Sequence, residues 1–253
     1  MTILVTGGTG TLGRPVVALL RGAGHDLRVL SRTKAPGVSQ GDLSTTEGLA
    51  QALAGTTTVL HLATTASSKD AEQSRNLVEA CRAANIGHLI FSSIVGVDTI
   101  PYSYYRAKRV SERAIEESGI PYTILRATQF HEFIALIVRL QRRMPALLSL
   151  DIPVQPIAVD EVARRLAGLV GAGPAGRLPD IGGPEQLRLR AAIATIQAAS
   201  GRPKPVVIIP LLGKTMKAFK RGDHMPGLPG FGKETLVDFA ARASRNRVGS
   251  AGE

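Results

Sequence analysis

The chain has 253 residues, enough for one large α/β domain or for such a domain with a smaller appendage. Hydrophobic residues make up 44% and charged residues 20%, which excludes a disordered or fibrous chain. The net charge of +11 favours anionic partners, but aromatics at 4% with no tryptophan argue against a platform for single-stranded bases. The single cysteine excludes an intramolecular disulfide and a cysteine-rich zinc site.

The first half of the chain alternates short apolar runs with amphipathic stretches. The predicted strands are 3–5, 27–30, 58–62, 88–91 and 122–125, and the predicted helices are 12–23, 45–53, 71–84 and 103–117. Because parallel strands need long crossover connections, this alternation predicts a Rossmann-type α/β fold. Its doubly wound parallel sheet would carry helices on both faces.

The second half is less regular and more basic. We predict a strand over 154–159, a helix that Asp160 caps, a helix over 187–199, a strand over 206–209, basic helices around a loop at 225–232, and a frayed end at 249–253. Residues 1–128 carry 13 basic and 10 acidic residues, and residues 129–253 carry 18 and 10. The net charges are therefore +3 and +8, so most of the excess lies in the second half.

The sequence predicts no membrane segment. Residues 2–6 form a predicted strand that leads straight into glycines, unlike a secretory leader. The most apolar stretch, 133–150, is interrupted by Arg139, Arg142 and Arg143, so it is shorter than a membrane span requires. We expect a soluble protein in the reducing cytoplasm, with no membrane partner.

A glycine-rich segment joins the first predicted strand to the first predicted helix. Gly7 suits a tight turn, Gly10 a close approach of the backbone to a pyrophosphate, and Gly13 close packing of helix on strand. N–H groups at the start of the helix would meet the phosphates. The predicted dinucleotide-binding residues are Gly7, Thr9, Gly10, Thr11, Leu12 and Gly13.

The end of the second predicted strand distinguishes NAD from NADP. An acidic residue there would bind the ribose 2′-OH of NAD, but the sequence has Ser31 and Arg32. A guanidinium pairs well with phosphate oxygens, so we predict that Arg32 binds the 2′-phosphate together with Ser31, and with Lys34 or Arg14 as a further base. NADP(H) is therefore predicted to be preferred over NAD(H).

Two interpretations are open for residues 41–43, which follow a further short predicted strand between those at 27–30 and 58–62. Asp42 and Leu43 are candidates for a contact to the adenine edge of the cofactor. Alternatively, Asp42 is a turn acid or the N-cap of the helix predicted from Thr45.

A Tyr-x-x-x-Lys pair lies on a predicted helix. Tyr104 and Lys108 are four residues apart and share one face. An ammonium beside a phenol favours the phenolate, which predicts a lowered pKa for Tyr104 and a proton donor or acceptor usable near neutrality. Tyr105 is the rival phenol. Ser93 ends a predicted strand, where it would hydrogen-bond a substrate oxygen, with Ser92 as its substitute.

In this order, the motifs resemble the atypical short-chain dehydrogenase/reductase superfamily, specifically its NmrA-like NAD(P)-binding branch. The matching segments are 6–13, 91–96, 104–112 and 120–133, with weaker ones at 155–163 and 182–185. The resemblance implies that Tyr104 is a general acid/base, that Lys108 holds the nicotinamide ribose, and that Ser93 orients the substrate oxygen. Several NmrA-like proteins lack the Tyr–Lys pair and act as redox sensors, so its presence here favours retained chemistry.

The resemblance also implies further contacts to the cofactor. The backbone of Ala127, Thr128 and Gln129 would lie beside the nicotinamide, although 125–128 reads Leu-Arg-Ala-Thr where relatives usually have Leu-Arg-Pro-Gly. Segment 61–64, including Ala63 and Thr64, would pass near the adenosine ribose.

The segment after this strand is the predicted roof of the substrate site. Gln129, Phe130 and Phe133 would line it, with His131 as a polar contact; a helix that packs its phenylalanines inward is the alternative. No ligand spacing indicates a metal site. Cys81 is predicted to be a buried structural thiol.

The leading hypothesis is an NADPH-dependent oxidoreductase that reduces a small carbonyl, quinone or related electron-poor compound, with Tyr104 as proton donor. The alternative is a non-catalytic NADP(H)-binding sensor that regulates a protein partner. Nucleic-acid binding ranks last because no recognition motif accompanies the charge. We predict a cofactor-binding domain over 1–128 and a smaller, partly interleaved substrate-binding portion over 129–253.

Overall fold

The computed structural model describes residues 1–199, 201 and 203–249. In chain order the elements are β1 (Thr2–Thr6), α1 (Gly13–Gly22), β2 (Asp26–Ser31), β3 (Val38–Gln40), α2 (Leu49–Leu53), β4 (Thr58–His61), α3 (Lys69–Ala83), β5 (His88–Ile94), α4 (Ser103–Glu116), β6 (Tyr122–Ala127), α5 (His131–Leu140), β7 (Leu147–Ser149), β8 (Pro153–Val154), α6 (Val159–Leu169), β9 (Gly176–Arg177), β10 (Leu187–Arg188), α7 (Leu189–Ala198), β11 (Val206–Ile208), α8 (Lys214–Arg221) and α9 (Leu236–Gly249). Most of the end predicted to be frayed, residues 250–253, lies outside the described residues.

The chain forms two compact units. The first comprises Met1–Asp98, Tyr102–Arg126 and Asp160–Asp180. The second comprises Thr99–Pro101, Ala127–Val159 and the described residues from 181 onward.

A seven-stranded sheet organises the first unit, in the order β3-β2-β1-β4-β5-β6-β9. The β1–β2, β1–β4, β2–β3, β4–β5 and β6–β9 pairs are parallel. The strand order reverses between β1 and β4, and in sheets of this type a ligand binds at the carboxyl ends of the strands at such a point. This confirms the predicted Rossmann-type α/β fold.

The central strands of this sheet are apolar because both of its faces are covered there. Ile3, Leu4 and Val5 of β1 are fully buried, the pattern expected for a central parallel strand. One core cluster joins α2, α3 and α4 to the sheet, and it includes Cys81. Burial raises the pKa of the Cys81 thiol to about 12, so the prediction of a buried structural cysteine is confirmed.

Several predictions for the elements differ from the structure. The helix predicted over 187–199 begins only at Leu189, because Leu187 and Arg188 form β10. The helix predicted from Thr45 begins only at Leu49, because Thr46 and Gly48 have φ angles of 64° and 74°, outside the right-handed helical region. The strand predicted over 154–159 is confined to β8, since the next-but-one residue after it, Pro156, has no N–H to donate to a ladder. Asp160 lies in the first turn of α6 instead of preceding it, so it is not the N-cap.

The second unit has two small sheets and its own core. Strand β10 pairs antiparallel with β8, and β11 pairs parallel with β7. Helices α5, α7, α8 and α9 contribute to one apolar cluster with β7 and β8. The basic side chains of α8, Lys214, Lys217, Lys220 and Arg221, are mostly exposed to solvent. None of the helices in the described part of the chain has both the length and the apolar character needed to cross a membrane.

Candidate active site

The glycine-rich segment lies where the strand order reverses. It follows β1 and precedes α1, as predicted. Gly7 has a φ of 69°, and its carbonyl accepts the N–H of Gly10 over 3.0 Å, which closes a tight turn. Leu12 provides no side-chain cap for the first turn of α1. In that turn the N–H groups of Arg14 and Val16 donate to the carbonyls of Gly10 and Leu12, so the N–H groups that suit a ligand are those of the loop just before the helix.

Glycine is required at different positions of this loop for different steric reasons. A Cβ at Gly7 would lie 2.6 Å from the backbone nitrogen of Ala63, and one at Gly13 would lie 2.1 Å from the carbonyl oxygen of Gly7. Gly10 is different, because it is exposed and its Cβ would meet only the Gly7 oxygen, at 3.2 Å. A side chain at Gly10 would project over the loop and occupy the space where a pyrophosphate would approach the backbone. The loop therefore fits a site in which backbone N–H groups bind a pyrophosphate.

The ribose-phosphate end of the predicted cofactor site carries an available guanidinium. Ser31 ends β2, its hydroxyl accepts the N–H of Thr33 over 3.2 Å, and Arg32 follows it. Arg32 is exposed and has no hydrogen bond or ion pair with any described residue. Lys34 is also exposed, whereas Arg14 donates to the carbonyl of Thr9 over 2.8 Å. These residues fit a 2′-phosphate, and Arg32 and Lys34 are both less engaged elsewhere than Arg14 is.

Asp42 forms a turn. Its carboxylate accepts the N–H of Ser44 over 2.7 Å. This bond confirms the interpretation of Asp42 as a turn acid. Since α2 begins at Leu49, Asp42 does not cap a helix from Thr45, and the N-cap interpretation is wrong. Leu43 is buried in the core, and its carbonyl accepts from Asn76 over 2.8 Å. The adenine contact of this segment stays a prediction.

Lys108 is buried beside Tyr104 on α4. The ammonium lies 4.7 Å from the centre of the Phe91 ring and 6.0 Å from that of Tyr104, and it donates to the carbonyl of Ser92 over 3.3 Å. Burial lowers its pKa to about 8, although the negative charges of Asp70 and Glu112 act to raise it. The helix therefore brings the two predicted residues to one place.

The pKa of Tyr104 is raised, so the predicted lowering by Lys108 is wrong for this structure. Burial raises it, a hydrogen bond with Thr64 lowers it, and the charge of Asp70 raises it further. Tyr105, the rival phenol, is buried and meets the Tyr104 ring edge-on at 6.1 Å, which is a packing contact. Tyr104 is consequently a protonated phenol at neutral pH.

Ser93 lies in β5 as a buried hydroxyl with an unused hydrogen-bonding capacity. It is 2% exposed, and its Oγ has no hydrogen-bond partner among the described residues. Such groups are rare unless a ligand or water satisfies them. Ser92, the predicted substitute, contributes its carbonyl to Lys108 and is half-buried. The orphaned hydroxyl favours Ser93 as the serine that meets a ligand.

Sequence reasoning missed Asp70, a buried carboxylate in the first turn of α3. It is 3% exposed, and it accepts the Thr65 N–H over 2.7 Å, the Thr65 hydroxyl over 2.6 Å and the Thr64 hydroxyl over 2.5 Å. Ser111 of α4 donates to its carbonyl over 3.3 Å. The sequence contained a signal for this residue, because an acidic residue that follows several serines and threonines is typical of the first turn of a helix.

A neutral histidine fixes the end of β4. His61 Nδ1 lies 2.7 Å from the Thr6 hydroxyl and Nε2 lies 3.0 Å from the Ser74 hydroxyl. Burial, then the charge of Lys108, lowers its pKa to about 3. The ring stacks on Phe91 at 5.2 Å, so the strand ends that carry the loops of the site are held together.

An ion-pair network anchors α4 to β6, and sequence reasoning missed it too. Arg126 binds Glu112 through Nε at 2.8 Å and Nη2 at 2.5 Å, and its Nη1 binds Asp98 at 2.5 Å. Glu112 is fully buried and lies one turn after Lys108. A charged residue inside an otherwise apolar strand was the signal for such a pair.

The residues predicted for the nicotinamide and the substrate begin the second unit. Ala127 and Thr128 are buried, and the Thr128 hydroxyl donates to the carbonyl of Gln155 over 2.5 Å. Gln129 and Phe130 are half-buried, whereas Phe133 is 49% exposed, so it is not packed inward.

His131 is not available as a polar contact to a substrate. It is fully buried, its Nε2 lies 3.1 Å from the Pro156 carbonyl, and its ring meets Phe239 at 5.3 Å. The predicted polar role of His131 is therefore wrong, and this histidine is part of the core of the second unit.

Comparison with known proteins identifies relatives of matching architecture. A family model described as NAD(P)H-binding matches residues 7–135. The (4-alkanoyl-5-oxo-2,5-dihydrofuran-3-yl)methyl phosphate reductase of Streptomyces griseus is 31% identical over 215 residues, which cover 79% of this chain and 74% of that protein. Quinone oxidoreductase 2 of Escherichia coli is 27% identical over 141 residues, 51% of this chain and 49% of the relative.

Solved structures share the fold. The same quinone oxidoreductase in complex with NADPH superposes with a TM-score of 0.78 at 21% identity, covering 95% of this chain and 99% of that chain. The triphenylmethane reductase of a Citrobacter species gives a TM-score of 0.80 at 18% identity, covering 97% and 100%. At these identities the likeness shows that the fold is shared.

Proposed function

The chain belongs to the NAD(P)H-binding family, and on that premise we propose that it is an NADPH-dependent oxidoreductase. It would reduce a small carbonyl, quinone or related electron-poor compound. The observation that carries the proposal is the buried Lys108 ammonium beside Tyr104, a phenol that its surroundings keep protonated. A protonated phenol is the form that donates a proton to a substrate oxygen.

The residues present fit the cofactor. The glycine loop and the start of α1 would hold the pyrophosphate, and Arg32 with Ser31 would hold the 2′-phosphate. Lys108 would donate to the nicotinamide ribose. The bound cofactor supplies a hydride to the substrate. The preference for NADPH over NADH follows from the exposed, unengaged guanidinium of Arg32.

Two side chains of the site would act on the substrate oxygen. Tyr104 would donate its proton to the developing alkoxide. Its raised pKa means that the phenol is protonated at neutral pH before the substrate is reduced. Ser93 donates a hydrogen bond from a hydroxyl that no described residue engages. Together they favour reduction of a polar double bond.

The names of two relatives support the proposed class of substrate. They are a reductase of a dihydrofuranyl methyl phosphate and an oxidoreductase of quinones. Gln129, Phe130 and the exposed Phe133 would form the amphipathic wall against which such compounds bind. The first relative acts on a compound whose name includes a phosphate group, so phosphorylated carbonyl compounds belong in the first substrate screen.

The experiment is NADPH oxidation, followed by absorbance, against quinones, dyes, aldehydes and phosphorylated ketones. We expect turnover with at least one class and a lower KM for NADPH than for NADH. Tight NADPH binding without turnover on any compound would contradict the enzymatic proposal and support the sensor alternative. Mass spectrometry of ligands that copurify with the protein would guide the choice of compounds.

A further inference from the structure

Two segments of the second unit lie side by side, residues 139–150 and residues 203–222. Strand β11 of the later segment pairs with β7 of the earlier one. The ammonium of Lys204 also donates to the carbonyls of Arg142 over 2.6 Å and of Met144 over 2.7 Å. We refer to the exposed side chains of these two segments as the amphipathic surface.

The apolar side chains of this surface are exposed to an unusual degree. Leu212 is 94% exposed and Leu140 is 74% exposed. Four further apolar residues of the two segments are also exposed, namely Val207, Ile208, Leu211 and Met144. The apolar cluster of the second unit is formed by other side chains of the described residues. A single exposed leucine is common, but a group of apolar side chains on adjoining segments indicates a site of interaction.

The charged residues of this surface are all basic. Residues 139–150 contain three basic residues, residues 203–222 contain five, and neither segment contains an acidic one. Arg221 is paired with Asp223 at 2.5 Å. The other exposed cations form no ion pair among the described residues: Arg139, Arg142, Arg143, Lys214, Lys217 and Lys220. Their charge is therefore available to an anionic partner.

Helix α8 holds three of these cations beside the apolar residues. Met216 and Ala218 of this helix are buried, so one side of α8 is packed against the unit. The exposed lysines recur at intervals of three residues, which places them on one side of the helix. The helix begins two residues after Leu212, so these cations adjoin the most exposed of the described large apolar side chains.

We propose that the amphipathic surface docks on an anionic lipid bilayer, with Leu211 and Leu212 inserted among the lipids and the basic side chains over the headgroups. Such binding grows with the apolar area inserted and with the attraction to anionic lipids. The proposal departs from the expectation of no membrane partner, which rested on the lack of a segment that could span a bilayer. It is independent of the proposed function, because no residue of the candidate active site takes part.

The combination of charge and apolar character decides between a bilayer and other partners. In a two-fold dimer, a second copy would bring the same basic residues against this surface, and like charges would repel. A nucleic acid would attract the cations, but its charged backbone would leave the leucines without an apolar contact. A bilayer with anionic headgroups supplies a partner to both kinds of side chain.

Binding to lipid vesicles tests the proposal. We expect the full chain to co-sediment with vesicles of equal parts phosphatidylglycerol and phosphatidylcholine, to dissociate from them at high salt, and not to bind pure phosphatidylcholine. Lys214→Gln combined with Lys217→Gln should weaken the binding about 25-fold, since each cation near the headgroups contributes a factor of about 5. Leu211→Ser combined with Leu212→Ser should weaken it about 10-fold or more, because the inserted area is lost.

Matched controls lie in the first unit. Arg75→Gln combined with Arg82→Gln removes the same net charge from exposed positions of α3, and Leu19→Ser alters an exposed leucine of α1. Both control proteins should bind the anionic vesicles as the wild type does. Equal losses in the arginine and lysine variants would mean that net charge alone governs the binding, which would overturn the proposal. All the substituted side chains are exposed, so the variants should fold, and circular dichroism verifies this.

A single tryptophan can report the insertion, because the chain has none of its own. The fluorescence of Leu212→Trp should move to shorter wavelength when anionic vesicles are added, and brominated lipids should quench it. Leu19→Trp should show neither effect. An unchanged emission of Leu212→Trp in protein that has bound to vesicles would exclude insertion and overturn the proposal.

Three other results would also contradict the proposal. The first is a failure of the wild type to bind anionic vesicles. The second is a dimer, detected by light scattering, that is lost in the protein with Leu211→Ser and Leu212→Ser, together with no vesicle binding. The third is binding of a DNA duplex that depends on the same lysines and leucines. Turnover of a water-soluble substrate tests the proposed function separately, and the leucine variant should keep the wild-type kcat.

Discussion

The buried Lys108 should make cofactor binding at the proposed site weaker at alkaline pH. Burial in the first unit lowers its pKa to about 8, so the cation that would hold the nicotinamide ribose is lost as the pH rises through that value. We expect kcat/KM for NADPH to fall above about pH 8, and Lys108→Met to have low activity without that descending limb. The measurement is the pH profile of kcat/KM, which reports groups of the free enzyme.

Unfolding cannot explain this loss of activity, because the contribution of Lys108 to the free energy of unfolding increases with pH. The folded protein releases the Lys108 proton at a lower pH than the unfolded chain does. Between those two pKa values the unfolded state binds more protons, so Lys108 contributes a free energy of unfolding that increases with pH. A free energy of unfolding of the wild type that falls above pH 8 relative to that of Lys108→Met would contradict the buried ammonium.

Arg32 should determine the choice of cofactor. Its guanidinium is exposed just after β2 and is engaged by no described residue. Arg32→Ala should weaken NADPH binding by about 10-fold and leave NADH binding unchanged, since one charge-assisted hydrogen bond is worth about 1.5–3 kcal/mol. The measurement is the Kd of each cofactor by titration.

Arg21 is the control for this prediction, because it is an exposed arginine at the far end of α1. Arg21→Ala should change neither Kd. Wild-type affinities that are equal for NADPH and NADH would contradict the assignment of Arg32.

Among the elements, α4 depends on the ion-pair network at its centre. Glu112 is fully buried, and Arg126 neutralises it with two hydrogen bonds. Arg126→Met leaves that carboxylate with only the longer contact to Arg109, at 3.4 Å, which should lower the free energy of unfolding by about 3 kcal/mol. Denaturant titration measures the loss. Arg113→Met, an exposed position on the same helix, should cost less than about 1 kcal/mol.

Acid should weaken the same anchor. The neighbouring Arg126 and Arg109 hold the pKa of Asp98 below its ordinary value, despite the opposing effect of burial. A carboxylate with a depressed folded pKa contributes stability above its unfolded pKa and loses it as the pH falls through the folded one. A stability of Arg126→Met equal to that of wild type at neutral pH would contradict this role of the network.

The predictable elements were those with a strong local pattern. The apolar run in β1 and the amphipathic pattern of α4 were sufficient to predict these two elements. The glycine loop was predictable because a Cβ at Gly7 or Gly13 would clash with the neighbouring backbone. The second unit was harder because its short strands pair across long separations. The partner of Leu147 in β7, for example, is Val206 in β11, which no local spacing indicates.

The sequence predicted which residues belong to the candidate site, but it did not predict which groups surround them in the fold. Spacing placed Tyr104 and Lys108 on one face, yet the direction of the Tyr104 pKa depends on Asp70, which lies on another helix. His131 shows the same limit, since its burial against Phe239 involves a residue far along the chain. Partners brought together by the tertiary fold decide what a side chain can do, and sequence distance does not reveal them.

For the whole molecule, the net charge of +11 is concentrated in the second half of the chain. Lys214, Lys217 and Lys220 of α8 are exposed and contribute to that excess. A positive field of this kind raises the encounter rate with anions such as NADPH, and salt screens it. The specific recognition of the cofactor is assigned to the first unit, whose residues carry a smaller excess.

The central claim is that this chain transfers reducing equivalents from NADPH with Tyr104 as proton donor. The most direct measurement compares NADPH oxidation by wild type and Tyr104→Phe on one carbonyl substrate, with the NADPH Kd determined for both proteins. We predict that kcat falls about 100-fold or more while the Kd is unchanged, because phenylalanine keeps the packing and removes only the proton. An unchanged kcat in the Tyr104→Phe protein would contradict the account.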